Sequence, residues 1–225
     1  MKRIKTLCDT FLGLILPVGA FLVFLLFPFY WMVITSLKTN AEIYARPLVY
    51  WPHEIILDTY QKLFGYFDFL QYMKNSFLVA FFTMLLSLVV STLAAYAFSR
   101  FEFKGRKVLM AVFLSNNMFP TVLLMIPLYS IMRKLGILYT HNALILSYTT
   151  FSIPFSVWLI QGFIRDVPFT LEEAALVDGC NRVSAFIRIF LPVLRPCLLA
   201  AGVYMFMQAW NEYTLASMFT NPATK

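Results

Sequence analysis

An all-α bundle of membrane-crossing helices is the fold class this sequence predicts, and three observations carry it. Of the 225 residues, 60% are hydrophobic and only 13% are charged, against about 45–50% and about 25% in a soluble domain. The mean hydropathy is +0.74. Uncharged runs recur at or near the roughly 20 residues a helix needs to cross the bilayer core. The same numbers exclude disorder, collagen and a coiled coil, and they predict one membrane-embedded unit over 1–225.

Five spans are predicted. The uncharged runs cover 10–37, 75–99, 108–132, 135–164 and 196–211. The last is short. Extending it backwards through 189–194 leaves Arg195 near one end, where it can snorkel to the headgroups. The first run follows MKRIKTLCDT. It is far longer than the roughly 7–15-residue apolar region of a signal peptide and no A-x-A site follows, so a retained helix is expected. Proline lies inside several runs (Pro17, Pro28, Pro120, Pro127, Pro154), so bent helices are expected, with neighbours satisfying the freed carbonyls.

Orientation follows from lysine and arginine. Lys2, Arg3 and Lys5 precede the first span, Arg100, Lys104, Arg106 and Lys107 follow the second, and Arg165, Arg182 and Arg188 lie between the fourth and fifth. These segments alternate so as to share one side, the cytoplasmic one. Lys38, Arg46, Lys62, Lys74, Arg133, Lys134 and Lys225 fall on the other, spread over longer sequence and partly balanced by Glu42, Glu54, Asp58 and Asp68. The N-terminus is therefore expected inside and the C-terminus outside. The net charge of +7 is explained the same way, with no nucleic-acid partner.

Several chemistries lack their residues. No Asp, Glu, Lys or Arg lies within the first four runs, which argues against a carrier driven by an intramembrane proton or sodium site. There is no GxxxxGK[ST] phosphate loop and no HExxH, so neither nucleotide hydrolysis nor zinc peptidase chemistry is expected of this chain. His53 and His141 sit at or outside span ends, where a satisfied surface residue is the simplest reading. Cys8, Cys180 and Cys197 have no metal or redox spacing and read as apolar fillers.

The informative stretch is 168–192, PFTLEEAALVDGCNRVSAFIRIFLP. Thr170 with Glu173 three residues later has the form of a capping box. Glu172 and Glu173 suit the positive end of a helix. About two turns over 171–178 are predicted, stopped by Gly179 in a left-handed C′ conformation. A second helix follows, with Val183, Phe186, Ile187 and Phe190 as an apolar stripe and Arg182 and Arg188 off it. One reading is an amphipathic linker lying on the membrane surface. The other is a docking element for a cytoplasmic partner, Ala174 and Ala175 forming a small-sided face that permits close approach.

This stretch resembles the EAA motif, EAA-x3-G-x9-I-x-LP, of the binding-protein-dependent ABC importer permeases. Glu173, Ala174, Ala175, Gly179, Ile189, Leu191 and Pro192 match every fixed position. LDTYQKLF (57–64), YMKNSFLVA (72–80), AAYAFSRFEFKGRK (94–107), IPLYSIMRKLGILYT (126–140) and WNEYTL (210–215) are similar to the carbohydrate-uptake branch, the relatives of the maltose permease G subunit. The resemblance runs almost end to end.

The resemblance implies a permease subunit of an ABC-type sugar importer. Its segment 165–192 would be the coupling segment, in which Glu173 faces an ATPase subunit and Gly179 sets the angle between two helices. Thr170 and Asp178 flank that contact. The implied partners are a cytoplasmic ATPase dimer that uses the ATP, a second permease subunit, an extracytoplasmic solute-binding protein, membrane lipid and the sugar. This chain is expected to bind no cofactor or metal and to catalyse no reaction. Members of this branch usually have six spans, and this chain stops in the loop after Trp210–Asn211, so a shortened form that does not support full transport is expected. Candidates for the sugar path are Asn116, Asn117, Gln208, Trp210 and Asn211, which carry hydrogen-bonding groups and an aromatic face. The same residues could equally make interhelical hydrogen bonds. A permease for amino acids, peptides or phosphate, and a membrane scaffold, are the rival functions.

Overall fold

The computed structural model describes residues 13, 15–66, 68–116 and 118–221. The basic N-terminal flank with Lys2, Arg3 and Lys5, and also Cys8, Asn117 and Lys225, lie outside the described residues. All regular structure among the described residues is helical. Among the described residues three helices are long and apolar enough to cross a membrane, and up to five spans result if each of two bent helix pairs counts as one. The chain groups into two compact units, Met1–Phe69 and Leu70–Lys225.

In the first unit, α1 is Leu16–Ser36. Its 21 residues reach about 31 Å at 1.5 Å per residue, the depth of a bilayer core. Pro17 stands in its first turn and Pro28 inside it. Its sequence carries no charged residue and is apolar all round, as a membrane helix is. The turn after α1 is closed by Lys38, which is buried, donates to the Val49 carbonyl and lies 4.4 Å from the Trp31 ring centroid.

Two short helices follow, α2 (Asn40–Ile43) and α3 (Asp58–Tyr66). A capping box starts α2: Thr39 Oγ1 accepts from the Glu42 amide at 3.2 Å, and Glu42 Oε2 accepts from the Thr39 amide at 3.2 Å. Glu42 Oε1 also accepts from the His53 amide at 2.9 Å and meets His53 Nδ1 at 2.9 Å. The amide of His53, its ring and the Thr39 donors together hold the Glu42 carboxyl down at about 2. His53 is thus a satisfied surface residue, as the sequence suggests.

The second unit is built on three long helices, α4 (Phe69–Arg100), α7 (His141–Asp166) and α11 (Arg195–Trp210). One buried cluster joins Ala95 and Phe98 of α4, Val157, Ile160 and Ile164 of α7, and Cys197, Ala201 and Met205 of α11. A second, towards the other end, joins Val79 and Ala80, Ala143, Leu144 and Tyr148, and Ala209. Ala80, Thr83, Ser87, Ser91 and Ala95 form a fully buried row on α4. Small residues of this kind let membrane helices approach closely. Cys197 fills apolar space in the first cluster, the filler role expected of it. At 32 residues, α4 runs about 48 Å and projects well beyond a bilayer core of about 30 Å. Its last residue, Arg100, is brought thereby to the segment described below.

Two spans are not single straight helices, and one of them breaks at Pro120, where a bend is expected. The run 108–132 is not one helix but two, α5 (Arg106–Asn116) and α6 (Thr121–Lys134), bent by more than 40° against each other. Pro120 stands between them in an extended conformation, at the N-cap of α6. It has no amide hydrogen to continue the α5 ladder, and its ring disfavours helix in the residue before it. Hydropathy cannot see this, because both halves are apolar. The fifth span also starts later than expected. Residues 189–193 belong to the preceding helical segment, which meets α11 at a bend of 76°. Arg195 is therefore the first residue of α11, with Pro196 beside it in the first turn, where the missing amide costs nothing.

Candidate functional site: an anchored two-helix segment and a polar cavity

The segment 165–192 folds as a short helix, a tight turn and a second helix. The first, α8, is Thr170–Val177. Its expected capping box does not form. Phe169 is the N-cap, already in helical conformation (φ −64°, ψ −27°), and offers no side-chain cap. The amides of Leu171, Glu172 and Glu173 turn back instead to the Pro168 and Phe169 carbonyls. A capping hydroxyl needs an extended N-cap, which Thr39 has at ψ 154° and Thr170, inside the helix, lacks. The same T-x-x-E pattern thus forms a box at 39–42 and not at 170–173.

The C-terminal end agrees with expectation. Gly179 has φ +89°. Its amide donates to the Leu176 carbonyl at 3.1 Å and the Cys180 amide to the Ala175 carbonyl at 3.0 Å, the paired bonds of a Schellman motif. Asn181 starts the next helix, α9 (Arg182–Ala185), its Oδ1 accepting from the Ser184 amide at 2.7 Å.

Beyond α9 the chain makes a π-helical turn, Phe186–Phe190, in which the Leu191 amide bonds the Phe186 carbonyl five residues back. A three-residue helix, α10 (Leu191–Val193), leads to the bend before α11. The predicted stripe is therefore displaced. Ala185 and Phe190, five apart, are buried, while Val183 and Ile187 are 67% and 55% exposed. One extra residue per turn rotates the buried face away from the 3.6-residue pattern. Ile189, Leu191 and Pro192 are half-buried where this segment joins the bundle.

Two faces divide α8. Leu171, Glu173, Ala174, Leu176, Val177 and Asp178 are exposed, as is Thr170, whereas Glu172 and Ala175 are buried. Ala175 is thus not part of an outward small-sided face. It packs inward, and Ala174 alone remains outside. Glu172, which sequence reasoning does not distinguish from Glu173, is the anchor. Its Oε1 accepts from Arg100 Nε at 2.6 Å and its Oε2 from the Tyr96 hydroxyl at 2.8 Å. Arg100 Nη2 donates to the Val167 carbonyl at 2.9 Å. The guanidinium lies 5.5 Å from the Phe169 ring centroid and 5.2 Å from that of Phe190. Removing one partner of such a buried pair typically costs about 3–5 kcal/mol. Nothing in the local sequence marks the pair, because 72 residues separate its members.

The candidate path residues separate into two places. Asn116 and Gln208 border a cavity of about 190 Å³ together with Thr121, Tyr148, Ser152 and Tyr204, and with the aromatic faces of Phe119 and Phe151. Gln208 Nε2 donates to the Tyr204 hydroxyl at 2.8 Å. Trp210 borders a second, wider cavity with Tyr72, Asn75, His141 and Tyr213 and stacks on Phe206 at 5.7 Å. Tyr148, Ala209 and Glu212 line both cavities. Asn211 lines neither, and its Nδ2 donates to the Met207 carbonyl of its own helix at 2.8 Å. Glu212 is not a free loop carboxylate. Its two oxygens accept from the Leu215 and Ala216 amides at 3.0–3.3 Å and so start the last helix, α12 (Thr214–Phe219). Tyr148, Ser152 and Tyr204 carry no signal in the sequence because each lies in an apolar run, where a hydroxyl is unremarkable.

The family described as "binding-protein-dependent transport system inner membrane component" matches residues 87–224. The sulfoquinovosyl glycerol transport system permease protein SmoH of Agrobacterium fabrum is 38% identical over 89% of this chain and 70% of its own length. The trehalose/maltose transport system permease protein MalG of Thermococcus litoralis is 34% identical over 92% and 75%. The diacetylchitobiose uptake system permease protein DasC of Streptomyces coelicolor is 34% identical over 88% and 72%. A chain of the bacterial ABC transporter that imports the acidic polysaccharide alginate superposes with a TM-score of 0.81 at 23% identity, covering 97% of this chain and 77% of that one.

Proposed function

The chain belongs to the binding-protein-dependent transport system inner membrane components, and we propose that it is the permease subunit of an ABC-type sugar importer. One observation carries the reading. The α8 helix is held from behind by Glu172 and Ala175 and presents Leu171, Glu173, Ala174, Leu176 and Val177 outward. A lipid-surface linker would turn its apolar residues to one side. Here apolar, acidic and small residues share the outward face, which suits a protein cleft. The sugar-transport names of the relatives support the substrate class over amino acids, peptides or phosphate, and a transport role over a scaffold.

In this reading the chain is a single transmembrane permease domain over 1–225, without cofactor or catalytic group. ATP is used by a cytoplasmic ATPase dimer into which α8 docks. A second permease subunit and membrane lipid cover the apolar side chains that stand exposed on α1 and α11, and a solute-binding protein delivers the sugar from outside. The cavity of Asn116, Tyr148, Ser152, Tyr204 and Gln208 offers hydrogen-bonding groups beside aromatic faces, the chemistry a sugar ring requires, and serves as a stretch of the path.

Ala174→Cys is expected to form a disulfide crosslink with a cysteine placed in the ATPase cleft, in membranes that take up the sugar. Uptake without any such crosslink, across a scan of cleft positions, would remove the docking role. The orientation has its own check. On a cysteine-free background, a cysteine at Lys104 is expected to react only with reagent given access to the cytoplasm, and one at Glu54 with impermeant reagent from outside. Labelling of both from one side would overturn the topology.

A further inference from the structure

Arg100 is the last residue of α4, yet its contacts lie on three other segments. It bonds Val167 in the connector after α7, pairs with Glu172 of α8, and rests against Phe169 and against Phe190 of the π-helical turn. Tyr96, one helical turn earlier on α4, completes the set by donating to the same carboxylate and packing edge-on against Phe186 and Phe190 at 4.8 and 5.1 Å. Both charged side chains are about nine-tenths buried. The covalent route from α8 into α9 is a single turn. It passes through Gly179, around whose missing Cβ no atom lies within 4 Å.

We infer that the Arg100–Glu172 pair makes α8 and the end of α4 move as one body, so that displacement of α8 by its ATPase partner is delivered to the second span. This rests on the docking reading above. A rigid connection needs short, directional and desolvated contacts, and the guanidinium supplies them: two hydrogen bonds in the fixed plane of the group, enclosed by rings that exclude water. Pulling α8 away from α4 would separate two buried charges that pair with each other. The pair therefore resists that separation. Arg100, Glu172 and Tyr96 are positioning residues, since none of them faces the outward surface of α8.

The test measures sugar imported per ATP hydrolysed by the complete complex in proteoliposomes, on an Ala174→Cys background so that docking is read in the same preparation. Arg100→Met/Glu172→Met removes both charges together and leaves no unpaired buried ion. The expected result is unchanged crosslinking from position 174, ATP hydrolysis near the parent rate, and a ratio of sugar to ATP lowered about tenfold, within the range of coupling between sites. Arg100→Lys keeps the charge but loses the planar two-point grip, and an intermediate ratio is expected. If the double variant does not reach the membrane, the lysine variant decides: a lowered ratio supports the inference and the parent ratio overturns it. Uptake and hydrolysis falling together at unchanged crosslinking would also overturn it, since the pair would then only maintain shape. Absence of crosslinking in the parent complex would instead refute the docking reading, and the inference with it.

Discussion

Leucine at position 179 is expected to abolish sugar uptake while leaving the chain inserted in the membrane. The effect comes from the backbone and not from crowding. Gly179 sits at φ +89° with no atom within 4 Å of where a Cβ would stand, so a side chain has space but the wrong conformation. An L-residue held there costs roughly 1–2 kcal/mol. The chain relieves that cost by leaving the left-handed region, which breaks the Schellman bonds to Leu176 and Ala175 and changes the angle between α8 and α9. Gly179→Asn, which tolerates the left-handed region, is expected to keep substantial uptake. Glu173→Lys makes a useful companion. Glu173 is exposed and takes part in no capping box, so reversal there opposes the helix dipole by only about 0.3–1 kcal/mol. That is too little to unfold the segment, and the expected loss of uptake would report the docking face itself. Normal uptake in both Gly179→Leu and Glu173→Lys, measured with membrane abundance matched, would refute the coupling role.

Phe190→Ala is expected to be the costliest neutral substitution in the segment, lowering stability by about 3–5 kcal/mol, the usual range for a buried aromatic truncated to alanine. Phe190 is 1% exposed. Its ring meets those of Tyr96 and Phe186 and lies beneath the Arg100 guanidinium, so its removal opens a cavity and uncovers the buried pair. Val183, on the same sequence stripe, is 67% exposed, and Val183→Ala is expected to stay within about 0.5 kcal/mol of the parent. Unfolding in detergent, followed by heat or denaturant, would compare the two. Equal losses would mean that the segment is an ordinary α-helix with its stripe inward and that the π-helical turn is absent.

These two experiments meet at the boundary between what is local and what is not. The role of Gly179 is legible in the sequence, because a helix end requires a residue free to adopt positive φ and that requirement is met within a few neighbours. The inward position of Phe190 is legible there too, as part of the apolar stripe, but the exposure of Val183 and Ile187 is not, since a 3.6-residue pattern assumes an unbroken α-helix and one π-helical turn changes the phase. The Thr170–Glu173 cap fails for a related reason. A capping box depends on where the helix begins, and after Pro168 it begins one residue too early for Thr170 to stay outside it.

By itself the sequence determined that this chain is helical and membrane-embedded, where its apolar stretches lie, that Gly179 ends α8, and which family it resembles. The resemblance rests on the matching motif residues, and the rest follows from interactions between near neighbours or between side chains and solvent. Only the tertiary structure decided that one apolar run is two bent helices, that Glu172 and not Glu173 is the buried carboxylate of α8, and that Tyr148, Ser152 and Tyr204 share a cavity with Asn116 and Gln208. The first turns on the full break at Pro120, and the other two depend on which distant segments are packed together. A carboxylate on a two-turn helix becomes buried only where an arginine, 72 positions earlier, is carried to it by the full length of α4.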